Sequence, residues 1–187
     1  MRARAQRQKE VRDRITRATV HLHGSVGPAR TTISDIAKLA GVRRATVYNH
    51  FATDEELLDA CSSHWFTENP PPDPSTWVEI SDPDHRIETA LLRMYEYYDG
   101  GQEMLEKVLG DAHLVPALKM ILEQKWEPLL EEIVTILEEG RASFGDTELR
   151  ASLRVALNFF TWRTLAAAGL SKEKAARLAA SWIKSLS

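Results

Sequence analysis

Residues 31–51 read TTISDIAKLAGVRRATVYNHF, and the fold of the chain is decided there. Thr32 is a residue type that caps a helix N-terminus, and Asp35 follows three positions later, where an acid completes a capping box. A helix started at that cap is predicted to run to Ala40 and to stop at Gly41, which tolerates the left-handed conformation of a helix C-terminus. After Val42 and Arg43, a second short helix is predicted over about 44–50, closed by Phe51. Ile36, Ala37, Ala40, Val42, Val47 and Phe51 form the apolar set. Ala37 supplies the small side chain needed where two helices cross steeply over a short turn. The polar remainder is Arg43, Arg44, Thr46, Tyr48, Asn49 and His50. The pattern is a helix-turn-helix.

Working outward, Val11, Ile15, Ala18 and Leu22 recur at spacings of four, three and four, which predicts a helix over roughly 5–23. Its Arg12, Arg14 and Arg17 are left toward solvent, and Gly24, Gly27 and Pro28 end it. Downstream, Thr53 caps a helix with Glu56 at the box position, continuing through Leu57, Leu58 and Cys61 to about Phe66. Residues 69–76, NPPPDPST, contain four prolines and read as a stiff linker between domains of residues 1–66 and 67–187. Past it, Asp84 opens a helix whose apolar face is Ile87, Ala90, Leu91, Met94, Tyr95 and Tyr98. Gly100 and Gly101 break that helix, and a shorter one follows over about 102–112. Pro116 starts a helix to about Glu139, with Pro128 inside it predicting a kink near Gln124–Pro128.

Residues 147–168 read as one helix that is apolar around nearly its whole circumference. Residues 172–186, capped by Ser171, repeat small and apolar groups at Ala175, Ala176, Leu178, Ala179, Ala180, Trp182, Ile183 and Leu186. One side of this pair packs on its own body. The other is expected to meet a second copy, giving a homodimer through residues 147–186 by a four-helix contact across a twofold axis. The alternative is that the monomer covers both faces itself.

Composition agrees with helices. Alanine and leucine account for 43 of the 187 residues, and no run alternates with period two as a strand would. The expected class is all-α, an N-terminal three-helix helix-turn-helix domain followed by a helical body. No stretch approaches ~18 uninterrupted apolar residues, so no membrane partner is expected. The basic N-terminus continues into Arg12, Asp13, Arg14 and Arg17 rather than an apolar signal segment, and a soluble, cytoplasmic protein is expected. A single cysteine, Cys61, excludes a disulfide framework. The net charge of −3 conceals a division: residues 1–51 carry 11 Lys and Arg against 3 Asp and Glu, whereas residues 52–187 carry 13 against 24. A basic head that binds a polyanion, on an acidic body, is one reading; chance clustering on solvated helices is the other.

The runs Thr32-Ile33-Ser34-Asp35-Ile36-Ala37, Ala40-Gly41-Val42, Thr46-Val47-Tyr48-Asn49-His50-Phe51 and Glu55-Glu56-Leu57-Leu58 resemble the TetR/AcrR family of transcriptional regulators. The specific resemblance covers about residues 10–65; beyond residue 66 only the architecture is similar. It implies a dimeric regulator, usually a repressor, that binds double-stranded DNA at a palindromic operator and is released by a small-molecule effector. The residue chemistry suits that role. Arg43 and Arg44 can address the O6/N7 edge of guanine, Asn49 can pair with adenine, and the Thr46 methyl can touch a thymine methyl. Thr32 brings a hydroxyl and a helix N-terminus to a phosphate. Tyr48 and His50, by the resemblance, reach the DNA backbone, or else pack within the head. Arg2, Arg4 and Arg7 precede the first helix and either follow the DNA or form a solvated tail. The chain departs from many relatives at Ala52, Thr53 and Asp54, where lysines commonly meet a phosphate, and at Arg43, where a serine commonly caps.

In the body, Met94, Tyr95, Tyr98, Met120, Trp126, Phe159 and Trp162 are candidate effector contacts, or else plain core. Asn158 is expected to be a buried amide that needs a partner across the dimer or on a ligand. The expected pocket is mostly apolar, favouring an apolar or aromatic effector. Cys61 and His64 lie three apart, but two ligands fall short of a structural metal site, and no cofactor is expected. No phosphate-binding loop or nucleophile motif occurs, which leaves a helical-bundle enzyme as a remote alternative and a dimeric DNA-binding adaptor without effector as a closer one.

Overall fold

The computed structural model describes residues 2–141 and 146–184, and the helical reading holds: ten α-helices, with no strand among the described residues. They are α1 (Arg2–Ser25), α2 (Ile33–Ala40), α3 (Arg44–His50), α4 (Asp54–Glu68), α5 (Pro83–Gly100), α6 (Gln102–Asp111), α7 (Pro116–Glu138), α8 (Thr147–Ala156), α9 (Phe159–Ala167) and α10 (Lys172–Lys184). Leu186, expected in the last helix, lies outside the described residues. None of the described helices is long and apolar enough to cross a membrane. The chain divides into two compact units, Met1–Pro70 with Glu103–Gln124, and Pro71–Gln102 with Lys125–Ser187. The first change of unit falls in the proline-rich stretch. The last falls at Gln124–Lys125, inside α7 and just before Pro128, through which the helix continues.

In the first unit, Ile15 and Ala18 of α1, Ile36, Ala37 and Ala40 of α2, Val47 of α3, Phe51 just after it and Leu57 of α4 make one buried cluster. Ala37 is 3% exposed, as a close helix crossing requires. A second cluster joins Leu58 and Cys61 of α4 to Ala117, Leu118 and Ile121 of α7, so this unit holds more than residues 1–66. The basic residues expected ahead of the first helix lie within it: α1 begins at Arg2, and Arg2, Arg4 and Arg7 are exposed helical residues. α1 also buries Thr16, Thr19 and His23, which an apolar stripe alone does not reveal. The turn after α1 requires glycine on two counts. Gly27 has φ 94°, and a Cβ there would lie 2.6 Å from Asp111 Oδ2. That carboxylate accepts the Ala29 N–H at 2.9 Å, tying α6 to the approach to α2.

In the second unit, α10 packs along α5, and α8 and α9 join them. The apolar face of α5 is buried as its spacing predicts, with Ala90, Leu91, Met94, Tyr95 and Tyr98 fully enclosed. Asp82, rather than Asp84, caps α5, through the Asp84 N–H. Part of the expected linker is structured, since Pro74–Trp77 forms a 3₁₀ turn capped by Asp73, with Pro74 and Trp77 buried. The larger correction concerns residues 147–168, which form two helices rather than one. Asn158 sits between them, exposed, and its Oδ1 accepts the Phe160 N–H at 2.8 Å as the cap of α9. The freed carbonyls of the break find donors on α5: Tyr95 Oη donates to the Ala156 oxygen at 2.8 Å and Tyr98 Oη to the Leu157 oxygen at 2.6 Å. An asparagine offers a competing local hydrogen bond, and two phenols satisfy the orphan acceptors, so the break costs little.

Candidate nucleic-acid interface

The geometry begins at the N-terminus of α2. Thr32 Oγ1 accepts the Asp35 N–H at 3.2 Å, the Asp35 carboxylate accepts the Thr32 N–H at 3.3 Å, and the capping box is complete. Thr32 Oγ1 also lies 2.5 Å from Asp35 Oδ2, to which it donates, so a phosphate arriving there competes with a carboxylate. α2 ends in a paired-bond C-terminal motif, with Val42 N–H donating to the Ala37 oxygen at 2.9 Å and Gly41 N–H to the Lys38 oxygen at 3.3 Å. Gly41 has φ 66°, and nothing lies within 4 Å of where a Cβ would sit, so conformation and not space demands glycine.

α3 follows directly. Arg43 is its extended N-cap and makes no side-chain cap bond, consistent with the absence of the usual serine. Val47 is the buried residue of α3. Arg44, Tyr48 and Asn49 are exposed, with Thr46 and His50 half-buried. Apart from Val47, α3 thus turns wholly or partly exposed side chains outward, and the buried Val47 and Phe51 anchor it to the core. One neighbour is not legible in the pattern. Arg12 of α1, whose spacing leaves it toward solvent, donates to the His50 oxygen and stacks on Phe51, its guanidinium 4.0 Å from the ring centroid. The segment after Phe51 is acidic because it starts a helix: Thr53 Oγ1 accepts the Glu56 N–H at 3.2 Å, and Glu56 Oε2 accepts the Ala52 N–H at 2.9 Å. The backbone N–H and Thr53 hydroxyl around Glu55 hold its carboxyl below the usual range. Asp54, Glu55 and Glu56 thus stabilise the positive end of α4, and the cations expected there in relatives are absent.

Behind this face, His23 Nδ1 lies 3.7 Å from Cys61 Sγ. Burial pushes the imidazole down to about 4, with the Asp111 charge opposing, so His23 is neutral at pH 7. Among the described residues no group of three or more His, Cys, Asp or Glu is placed to hold a metal ion.

Of the effector candidates, the structure brings together those of the second unit. Tyr98 contacts Tyr95 at 6.3 Å between ring centroids, Trp126 at 6.3 Å, Phe159 at 5.5 Å and Trp162 at 5.9 Å. Met94 is enclosed on the same face of α5. These are core contacts, and desolvation raises both tyrosine hydroxyls well above their ordinary range. Two candidates do not join them. Met120 belongs to the first unit and is 42% exposed, and Asn158 is an exposed cap rather than a buried amide in search of a partner. A cleft of about 420 Å³ in the second unit is lined by charged groups, among them Asp84, His85, Glu88, Arg177 and Lys184.

Comparison with known proteins agrees with the helix-turn-helix. Residues 15–61 match the model of the bacterial regulatory proteins of the tetR family. The chain is 44% identical over 52 residues to the HTH-type transcriptional regulator TtgR of Pseudomonas putida, a match covering 28% of this chain and 25% of that protein. The match thus spans about a quarter of the relative's length. Over the whole length the likeness is one of fold. A Mesorhizobium loti protein assigned to the TetR family superposes with a TM-score of 0.68 at 18% identity, over 96% of this chain and 98% of that one. PfmR, a TetR family transcriptional regulator from Thermus thermophilus, gives 0.63 at 18% identity, over 90% and 96%. RolR, solved in complex with resorcinol, gives 0.52 at 18% identity, over 97% and 89%. Residues 15–61 are thus similar to the helix-turn-helix domain of the tetR-family regulators, and the chain as a whole shares the fold of these solved proteins.

Proposed function

We propose that the chain is a homodimeric, sequence-specific DNA-binding repressor that leaves a palindromic operator when a small apolar or aromatic effector binds. The observation that carries the DNA-binding part is the outward face of α3. A seven-residue helix with one buried side chain spends Arg44, Tyr48 and Asn49 on solvent, donors that gain a purpose only against base edges and phosphates. The dimer is supported by Val155, Phe160, Leu178 and Trp182 of α8, α9 and α10, which are 57%, 44%, 38% and 39% exposed. Large apolar groups at that exposure on neighbouring helices suit a second copy, through residues 147–186. In such a dimer the two α3 helices must address successive major grooves, about 34 Å apart or a multiple of that. An effector acts by favouring a spacing that no longer fits, and its leverage is its differential affinity for the two states, typically ~1–3 kcal/mol.

The effector class rests on the aromatic cluster around Tyr98 and on the likeness to RolR, solved with the aromatic compound resorcinol. A second reading, an adaptor that dimerises and binds DNA without an effector, draws support from the same cluster: both tyrosine hydroxyls are already bonded to backbone oxygens. Selection of bound sites from random DNA tests the main reading. A palindromic motif is expected, and no enrichment would refute it. A thermal-shift series with resorcinol and larger apolar compounds separates sensor from adaptor, since a binder raises stability by mass action.

A further inference from the structure

α3 is seven residues long, too short to hold a direction by its own hydrogen bonds. Its entry is fixed by the Gly41 turn and its middle by Val47. Its exit is gripped from α1. Arg12, 38 positions upstream, donates Nη1 to the oxygen of His50, the last residue of the helix, and lays its guanidinium 4.0 Å above the Phe51 ring. The first contact sets a cation on the negative end of the helix, and the second is a cation–π stack. Phe51 is 2% exposed and shares its buried cluster with Ile15, one turn along α1 from Arg12. The guanidinium therefore stands on a buried ring and holds a carbonyl one residue from the exposed Asn49.

We infer that Arg12 is a positioning residue for DNA recognition: it fixes the exit of α3 so that Asn49 meets its base edge at one depth and angle. This rests on α3 being the recognition helix. The role needs a planar fork that stacks and donates at once, which lysine, a point charge on a flexible stem, does not supply. A cation at this place has one rival use, direct contact with a phosphate, and that use lysine can serve.

The test uses the full-length wild type and the Arg12→Lys and Arg12→Gln variants. Each is titrated over a salt series against the duplex that the wild type selects from random DNA and against a scrambled duplex of equal composition. A wild type that selects no motif removes the recognition-helix reading, and this proposal with it, before any variant is compared. With a motif in hand, Arg12→Lys is expected to weaken binding to the selected duplex about tenfold and to the scrambled duplex less than about twofold, with an unchanged salt slope. Asn49→Ala is expected to cost less in the Arg12→Lys background than in the wild type, because a mispositioned amide has less to lose. Circular dichroism and melting in the same buffer keep loss of fold apart from loss of positioning. Three results overturn the proposal: wild-type affinity for Arg12→Lys, equal losses on both duplexes, or a salt slope that drops by about one in Arg12→Gln while Arg12→Lys restores binding. The last result assigns Arg12 to a phosphate.

Discussion

The turn between α2 and α3 and the break between α8 and α9 are both places where a helix stops so that another can start, and they are stabilised in opposite ways. At the first, everything needed is local: Gly41 at φ 66°, two bonds back to Ala37 and Lys38, and a capping box at the far end of α2. At the second, the local contribution is one asparagine cap. The carbonyls it strands at Ala156 and Leu157 are satisfied by Tyr95 and Tyr98, 61 and 59 positions away. A locally determined turn can be read from its own residues, whereas one completed by distant donors cannot. The same difference divides the sites. The face of α3 is defined by what its own spacing turns outward; the aromatic core is defined by what several separate helices bring inward.

The largest effect is expected where the distant donor also fills the core. Tyr98→Ala removes a fully enclosed ring and is expected to cost about 3–5 kcal/mol, read by chemical denaturation. Tyr98→Phe keeps the ring and loses only the donor to Leu157, for which about 1–3 kcal/mol is expected. Equal stability of Tyr98→Phe and the wild type would show that the α8–α9 break does not depend on α5. That result would erase the contrast between the two breaks.

Acid probes the first unit in a way that it does not probe the phenols. His23 is held neutral in the fold, with its titration lowered from 6.5 to about 4 by burial, while the unfolded chain titrates near the ordinary value. Between these limits the unfolded chain binds more protons, so stability is fully present above about pH 6.5 and falls as pH drops toward 4, by on the order of 3 kcal/mol. Tyr95 and Tyr98 shift upward and stay neutral throughout that window. Melting at pH 7 and pH 5 should therefore show a loss that His23→Gln flattens. A wild-type profile that is flat over this range contradicts the burial of a neutral imidazole.

DNA binding sharpens the comparison from the other side. Asn49→Ala is expected to lose about 1–3 kcal/mol at one base position, measured as affinity for point variants of the selected duplex. Thr32→Ala is expected to weaken all duplexes alike, because a phosphate contact there would carry no base information and the capping box is lost in every complex. Loss of one base preference in Thr32→Ala, or a uniform loss in Asn49→Ala, would exchange their roles.

Much of this is legible in the residues themselves. The spacing of Ile87, Ala90, Leu91, Met94, Tyr95 and Tyr98 marks a face that is in fact buried, and Thr32, Asp35 and Gly41 mark both ends of α2. What escapes depends on partners far along the chain. Arg12 sits next to the apolar Val11 and reads as solvated, because the carbonyl it grips is 38 residues away. His23 falls on the buried side of α1 although it is polar, because Cys61, 38 residues away, lies against it. Asn158 misleads for a related reason. The hydrophobic run around it suggests enclosure, yet neither such a run nor its periodicity reports which carbonyls a tyrosine on another helix will satisfy.

Asn158 also offers the smallest and most discriminating measurement. As an N-cap whose side chain accepts the Phe160 N–H, it should lose about 1 kcal/mol when replaced by alanine and almost nothing when replaced by aspartate, which caps equally well. As an effector contact it would behave differently: alanine would leave the melting of the free protein unchanged and reduce only the shift produced by a bound compound, and aspartate would not restore that shift. Gly41→Ala supplies the reference for a purely local break, because an alanine forced to φ 66° costs about 1–2 kcal/mol with no distant partner involved. If Asn158→Ala and Tyr98→Phe are then combined, a cap and a donor serving the same break should lose less together than the sum of their separate losses, since once the break has frayed the second bond has little left to hold. Strict additivity would mean that the cap and the phenol stabilise different things, and the two helix ends would have to be explained separately.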